Sequence, residues 1–367
     1  MATHQQTVRT EVMAEAPPSI LDRVLDGWQK IYSNYTIRTV IQAAITIWAV
    51  TTFTFFLIRL MPGNPVQVQI ARLMNTESLT YEEAYSRAAV MFRFDMNASP
   101  IEQYLGYMGQ LARLDLGQSI TSTGTQVLDQ ILRFLPWTLF SAGLGLLVSF
   151  ILGFIAGMLM AYYRNSPLDY VLSFVSSVMS AVPNYIWGLM ILVVFGVQLQ
   201  WFSIGEARGT YDPRLTPAFT PEFIIDVLEH ALLPVITYVL GTIGAWMLST
   251  KSSTVSVLGE DYVNIAEARG LPQSRILTAY VGRNASLPLF TLLAISIGFV
   301  LGGSVLIEEL YVYKGLGSFL FKSISDRDYT SMQGVFLVIT ISVVLSNLLA
   351  DLLYGRLDPR IRISGEK

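Results

Sequence analysis

Six long uncharged runs alternate with polar segments: Thr39–Ile58, Phe134–Tyr163, Tyr170–Gly205, Ala231–Thr250, Ala285–Ile307 and Ser331–Ala350. A helix rises 1.5 Å per residue and needs about 20 apolar residues to cross the hydrocarbon core of a bilayer. Each run is long enough. The second and third exceed a straight crossing, which predicts tilt, a kink or an interfacial extension. Pro183 lies inside the third and supplies a kink site. Lipid-facing backbone must satisfy its own hydrogen bonds, so the runs are expected to be helices. The short alternating segments of a membrane β-barrel are absent. The pattern predicts an all-α polytopic membrane protein with six transmembrane helices.

The polar segments carry periodicity of their own. Residues Ser19–Tyr35 place Leu21, Val24, Leu25, Trp28, Ile31 and Tyr32 on one helical face, after Pro17-Pro18. This predicts an amphipathic helix lying in the membrane interface. Between the first two runs, Thr76–Phe92 and Pro100–Arg113 have helical periodicity. That excursion is too long for a simple loop and is expected to fold as a small helical cap. Gly302-Gly303-Ser304 predicts close helix approach.

Composition sharpens the class. The chain has 367 residues, 52% hydrophobic and 14% charged, against about a quarter charged in soluble domains. With a net charge of −3 and no basic aromatic patch, nucleic acid is not expected as a partner. Cysteine is absent, which excludes disulfides and thiol chemistry. The opening MATHQQTVRTEVMAEAPPS lacks the layout of a cleaved signal peptide and is expected to stay in the cytoplasm. Arg164, Lys251, Arg269, Arg275, Arg283, Arg356, Arg360, Arg362 and Lys367 fall on one side of the six-span topology. The segment 206–230 opposite carries only Arg208 and Arg214. Lys314, Lys322 and Arg327 in 311–330 weaken the contrast. The bias places both termini in the cytoplasm.

Several chemistries have no residues to run on. No G-x-x-x-x-G-K-[ST] phosphate loop occurs, and His4 and His230 are the only histidines, so no histidine-built zinc site is expected. No G-x-S-x-G elbow is present. Few acids lie in the spans, which disfavours a proton relay. What remains is a passive pore, or the membrane half of a machine powered elsewhere.

The loop DYVNIAEARGLPQSRILTAY, Asp261–Tyr280, is polar yet patterned. Asp261–Ala268 can form two helical turns, with Leu258, Tyr262 and Ile265 on one face. Gly270 supplies a helix stop and Pro272 prevents continuation. A second helical segment runs from Ser274 to Leu287-Pro288. Such a helix suits docking into a groove on a partner, and equally suits packing on its own protein; the residues alone leave both open.

A succession of motifs adds a resemblance. The series is FFLIRLMPGNP (Phe55–Pro65), ARLDLGQSI (Ala112–Ile120), RFLPWTL (Arg133–Leu139), AVPNYIWGL, HALLP, GEDYVNIAEARGL with RNASLP, LGGSVLIEELY, KGLGSFL, RDYTSMQG and NLLADLLYGRLDPR. Each is weak alone. In this order they resemble the ABC-transporter permeases of the dipeptide/oligopeptide/nickel importer family. Departures exist: the Glu-Ala-Ala of the wider permease pattern is not spelled out, and Tyr313-Lys314-Gly315 stands where the family often has Trp-Pro-Gly.

The resemblance implies the type I importer fold. Its expected parts are a cytoplasmic extension (1–36), a first span (37–60), an extracytoplasmic cap (61–133), a permease domain (134–355) with a coupling loop at 251–287, and a cytoplasmic tail (356–367). It implies a subunit that is not an enzyme and carries no cofactor or metal, with ATP and magnesium held by one or two separate P-loop ATPase subunits. A second homologous permease, an extracytoplasmic solute-binding protein and the lipid bilayer are the other implied partners. The coupling residues would be Glu260, Asp261, Tyr262, Ile265, Ala266, Glu267, Ala268, Gly270 and Leu271. Pro183, Asn184, Tyr185, Trp187, Ser304 and Glu308 are candidates for the translocation path, each with a structural reading beside it: a packing kink, an interface anchor, helix packing or an internal hydrogen bond. A passive channel or secondary carrier is the alternative, and a membrane scaffold the third reading.

Overall fold

A computed structural model describes residues 35–60, 65–92, 99–122, 124–303 and 305–357. Of the interfacial helix expected at Ser19–Tyr35 all but Tyr35, and of the tail expected at 356–367 all but its first two residues, lie outside the described residues, as does Ser304. The chain divides into two units, 1–44 and 45–367. Among the described residues the first contributes only the opening turns of α1 (Tyr35–Arg59). All that follows belongs to the second.

Among the described residues five helices are long and apolar enough to cross a membrane: Ile37–Arg59, Val127–Tyr162, Pro221–Leu258, Gln273–Gly302 and Tyr329–Asp351. A bent pair, Pro167–Ala181 with Asn184–Gln198, makes a sixth if counted as one span. Among the described residues no sheet forms; Gln118 and Gln126 make one isolated bridge.

The third apolar run therefore departs from expectation. It is not one kinked helix but two, α6 (Pro167–Ala181) and α7 (Asn184–Met190), the latter continued by a π-helical stretch, Ile191–Gln198. The angle between the halves is 98°. The cause is local. A proline disfavours helical geometry in the residue before it. Val182 is accordingly extended at φ −88°, ψ 124°, and Pro183 follows at φ −55°, ψ 140°.

Among the described residues the excursion after α1 holds three helices: α2 (Pro65–Glu77), α3 (Tyr81–Phe92) and α4 (Pro100–Leu111). The continuous pattern read at Thr76–Phe92 is broken at Ser78, which sits at φ +54°. Thr80 then starts α3, its backbone N–H donating to Glu83 Oε2 at 3.0 Å. α4 begins with a capping box between Ser99 and Glu102, which satisfies two otherwise orphaned N–H groups. Phe55 of α1 stacks on Tyr107 at 5.3 Å, and Thr52 Oγ1 bonds the Tyr104 hydroxyl at 2.7 Å. Burial pushes the Tyr107 phenol up to about 12. Ile58, Ile70, Leu73, Ala84, Ala88 and Ile120 share one core with Tyr329 and Met332 of α13 (Tyr329–Leu357).

The bundle is built on α5 (Val127–Tyr162) and α8 (Pro221–Leu258). Their contacts advance together, so the two run parallel. A Cβ on Gly145 would lie 2.5 Å from Tyr238 Cβ, and one on Gly157 2.5 Å from Thr250 Cβ. Side chains at these positions would force the helices apart, and with glycine the backbones close up. α8 extends well beyond the apolar run Ala231–Thr250 at both ends. Thr220 caps it with Pro221 at the first position, and helix formation there needs no lipid. α10 (Arg283–Gly303) packs on α13. Of the Gly302-Gly303-Ser304 stretch expected to approach closely, Gly302 does not: a Cβ there would meet only Ile339 Cγ2 at 3.5 Å, whereas one on Gly298 would meet Val343 Cα at 2.8 Å.

Candidate functional site

α8 ends at Leu258, and Gly259–Glu260 turn the chain into α9 (Asp261–Ala268). The stop signals act as their chemistry requires. Gly270 takes φ +70°, the left-handed geometry that glycine adopts without strain. Its N–H donates to Glu267 O at 2.9 Å, and the Leu271 N–H reaches Ala266 O at 3.3 Å. These two bonds form a Schellman motif that satisfies the last carbonyls.

α9 has two distinct sides. Val263 and Ala266 are buried with Ile276 and Val281, and Val257, Leu258, Leu271 and Tyr280 pack around them. Tyr262 is 36% and Ile265 57% exposed. Glu260, Asp261, Glu267, Ala268 and Gly270 are exposed as well. Leu258 does not join Tyr262 and Ile265, because the turn at Gly259 ends the helical register that relates them. Leu258 belongs to the inner cluster. α9 is thus clamped between the end of α8 and the π-helical stretch Ile276–Gly282 that leads into α10.

About two turns before this clamp, Lys251 Nζ lies 2.5 Å from Asp169 Oδ1 and donates to Ser173 Oγ at 2.9 Å. Asp169 is nearly buried and accepts from Asn165 N as well. Ser166 caps α6 through the Asp169 N–H. Ser253 Oγ donates to Ala285 O at 2.8 Å. The stem of α8 is therefore tied by polar bonds to both α6 and α10.

A cavity of ≈ 420 Å³ opens between α5, α7, α8 and α10. Its polar lining is Asn184, Thr242, Ser249 and Ser296, among apolar residues such as Trp246 and Phe299; no lining residue is charged. Of the described residues singled out from sequence for a path, only Asn184 lines it. The Asn184 side chain lies against Gly241, and a Cβ on Gly241 would overlap it. Pro183 and Tyr185 are exposed, and Trp187 is half-buried with its Nε1 lacking a partner among the described residues.

Glu308 sits elsewhere. It lies on α11 (Val305–Leu310) at 1% exposure. Its carboxylate accepts from Thr138 Oγ1 at 2.6 Å and from Ser318 N at 2.9 Å, while Thr138 Oγ1 accepts from Leu316 N at 2.7 Å. α12 (Leu316–Ser325) starts at Gly315, which has no side chain to cap it. Thr138 and Glu308 supply the missing cap from other helices. In this arrangement the carboxylate meets helix backbone and a hydroxyl, not an open cavity.

A further buried carboxylate, Asp328, carries no signal in the sequence. Asp328 precedes α13 and is 1% exposed. It accepts from Ser331 N at 3.1 Å and Ser331 Oγ at 2.8 Å, and also from Ser119 Oγ at 2.5 Å and Ile120 N at 3.2 Å. Two of the quoted motifs, ARLDLGQSI and RDYTSMQG, meet here. Nothing local signals a pairing across 209 residues.

Helices of crossing length, a helix-lined cavity and a capped surface helix define a polytopic α-helical membrane protein. The family described as binding-protein-dependent transport system inner membrane component matches residues 153–363, and the chain belongs to that family. It is 33% identical over 329 residues to the di/tripeptide transport system permease protein DppB of Pseudomonas aeruginosa, covering 86% of this chain and 95% of that one. It is 29% identical over 327 residues to the oligopeptide transport system permease protein AppB of Bacillus subtilis, covering 89% and 98%. It is 29% identical over 334 residues to the dipeptide transport system permease protein DppB of Escherichia coli K12, covering 86% and 95%. The family is one of inner-membrane transport permeases, not enzymes.

Proposed function

We propose that this chain is the permease subunit of an ATP-driven importer for a peptide-type solute. It forms half of the translocation path, and α9 docks on a separate ATPase subunit. The observation that carries the reading is the two-sidedness of α9. Its inner face is buried in its own apolar cluster, and Tyr262 and Ile265 remain exposed on a helix stopped by a Schellman motif. A docking helix needs an exposed apolar anchor. A lever needs a stiff connection to what it moves. α9 has both.

On this reading the α9 end faces the cytoplasm, ATP and magnesium are held by the ATPase subunits, and the solute-binding protein meets the opposite end. A second permease closes the other side of the path. The uncharged lining of the cavity suits passage: hydroxyls and one amide can exchange hydrogen bonds with a peptide without holding it tightly. The printed names of the relatives support peptides as the solute class. A passive channel or secondary carrier would move solute without ATPase partners.

The absence of cysteine makes the test clean. A single Ile265→Cys in the assembled complex is expected to crosslink to an ATPase subunit through a short thiol reagent, and a Cys in place of buried Val263 is not. Uptake in vesicles should require ATP. Solute accumulation by the isolated chain, or crosslinking confined to the chain itself, would refute the reading.

A further inference from the structure

We propose that a second hollow, remote from α9, is a binding site for a short zwitterionic peptide. The proposal rests on the peptide-importer reading for the identity of the ligand, and on the pocket itself for its chemistry. The hollow measures ≈ 460 Å³ and lies between the loop at Thr121-Ser122, the start of α5, and α12 with the turn before it. Small-molecule pockets fall at roughly 300–1,000 Å³.

Its walls carry both signs of charge. Glu309, Lys314, Lys322 and Asp326 all line it. Among the described residues, Glu309, Lys314 and Lys322 enter no ion pair. Glu309 and the two lysines share the hollow without meeting one another, which leaves room for a dipolar guest between them. A peptide offers the matching pair: an ammonium for Glu309 and a carboxylate for a lysine. The apolar wall is Phe134 stacked on Phe319, with ring centroids 5.1 Å apart. That aromatic surface suits a peptide side chain. Gln130 also lines the hollow, and its Nε2 is buried without a hydrogen-bond partner among the described residues. A buried donor needs a partner, and a peptide oxygen in the hollow offers one.

The site differs in kind from the cavity at Asn184. That cavity has no charged lining and suits transit, whereas this one has the charges to orient and hold. Both lie along α5, where Gln130 and Phe134 precede Ala142 and Leu146 of the cavity. From Phe134 to Ala142 the helix rises about 12 Å. Between them stands Thr138, bonded to Glu308. A peptide held in the outer hollow would thus wait one Thr138–Glu308 contact away from the transit cavity.

The test uses the full chain in lipid nanodiscs and a photoreactive dipeptide, alanyl-p-benzoylphenylalanine. Labelling is expected in fragments holding Gln130–Phe134 or Ser318–Asp326. Ala-Phe should compete and acetyl-Ala-Phe-amide should not. Glu309→Gln and Lys322→Gln should each lower labelling about tenfold, the size of one lost charge-assisted bond, with elution profile and helicity unchanged. Should a variant fold poorly, the competition on the unaltered chain decides alone. Labelling elsewhere, or labelling indifferent to blocked termini, overturns the site. ATP-dependent peptide uptake by the complete transporter is scored separately. Uptake without labelling sinks the pocket and spares the importer reading; labelling without uptake does the reverse.

Discussion

The parallel pair α5 and α8 carries short helices at both ends that are held in different ways, although the Lys251–Asp169 pair adds a polar tie to the stem of α8 near its C-terminus. Toward their N-termini, two carboxylates at 1% exposure, Glu308 and Asp328, bind the first N–H groups of α12 and α13 and tie them to distant chain. Toward the C-termini, α9 is held by contact among Val263, Ala266, Ile276 and Val281, with its outer side left open. Directional bonds to buried charge fix a position, because breaking them strands donors away from water. Apolar contact on one side of a short helix gives stiffness and leaves the other side for a partner. The contrast separates an end built to stay from an end built to be gripped.

The largest expected effect comes from breaking the fixed end. Asp328→Ala removes the acceptor for Ser119, Ile120 and both donors of Ser331. Stranding several donors at a buried site should cost about 3 kcal/mol or more, given 1–3 kcal/mol per unsatisfied group and incomplete additivity. The measurement is the thermal unfolding midpoint of the chain in detergent. A midpoint equal to that of the unaltered chain would show that the cluster does not anchor α13.

A middle-sized effect is expected at the stop of α9. Gly270 has open space around its Cα but sits at φ +70°. In Gly270→Val the added Cβ meets no neighbour, and the side chain still strains the backbone by about 1–3 kcal/mol. On the proposed reading the loss appears chiefly as poor coupling: ATPase activity of the complex ceases to respond to solute, while Gly270→Asn, which tolerates this geometry better, retains part of the response. Full coupling in the valine variant would count against α9 as a lever.

How far the sequence reached differs between the two ends for a physical reason. The α9 end is local. Gly270 and Pro272 lie within a few residues of the helix they stop, and their backbone preferences can be read in place. Pro183 marked the break in the third run for the same reason. Its size, 98°, could not be read, because it depends on two successive extended residues and on what each half packs against. The other end is written in long-range pairs. Glu308 at the close of an apolar run admits both a solute contact and a structural bond until Gly315, without a cap of its own, is seen beside it. The ridge of α5 supplied Thr138, a residue that hydropathy files under membrane span. Asp328 and Ser119 are separated by 209 residues, and no periodicity links them.

The smallest expected effect on stability sharpens the comparison most. Ile265 is 57% exposed and outside the cluster that holds α9. Ile265→Ser should leave the unfolding midpoint nearly unchanged, since exposed substitutions usually stay within about 0.5 kcal/mol. If Ile265 is an anchor in a partner's groove, the same change should weaken association with the ATPase by about tenfold or more, as truncated anchors at interfaces commonly lose over 1–2 kcal/mol. A residue that matters only to its own fold would give the reverse, lowering the midpoint and leaving assembly intact. Stability and association measured on one variant therefore divide the two readings of α9 that the residues alone could not.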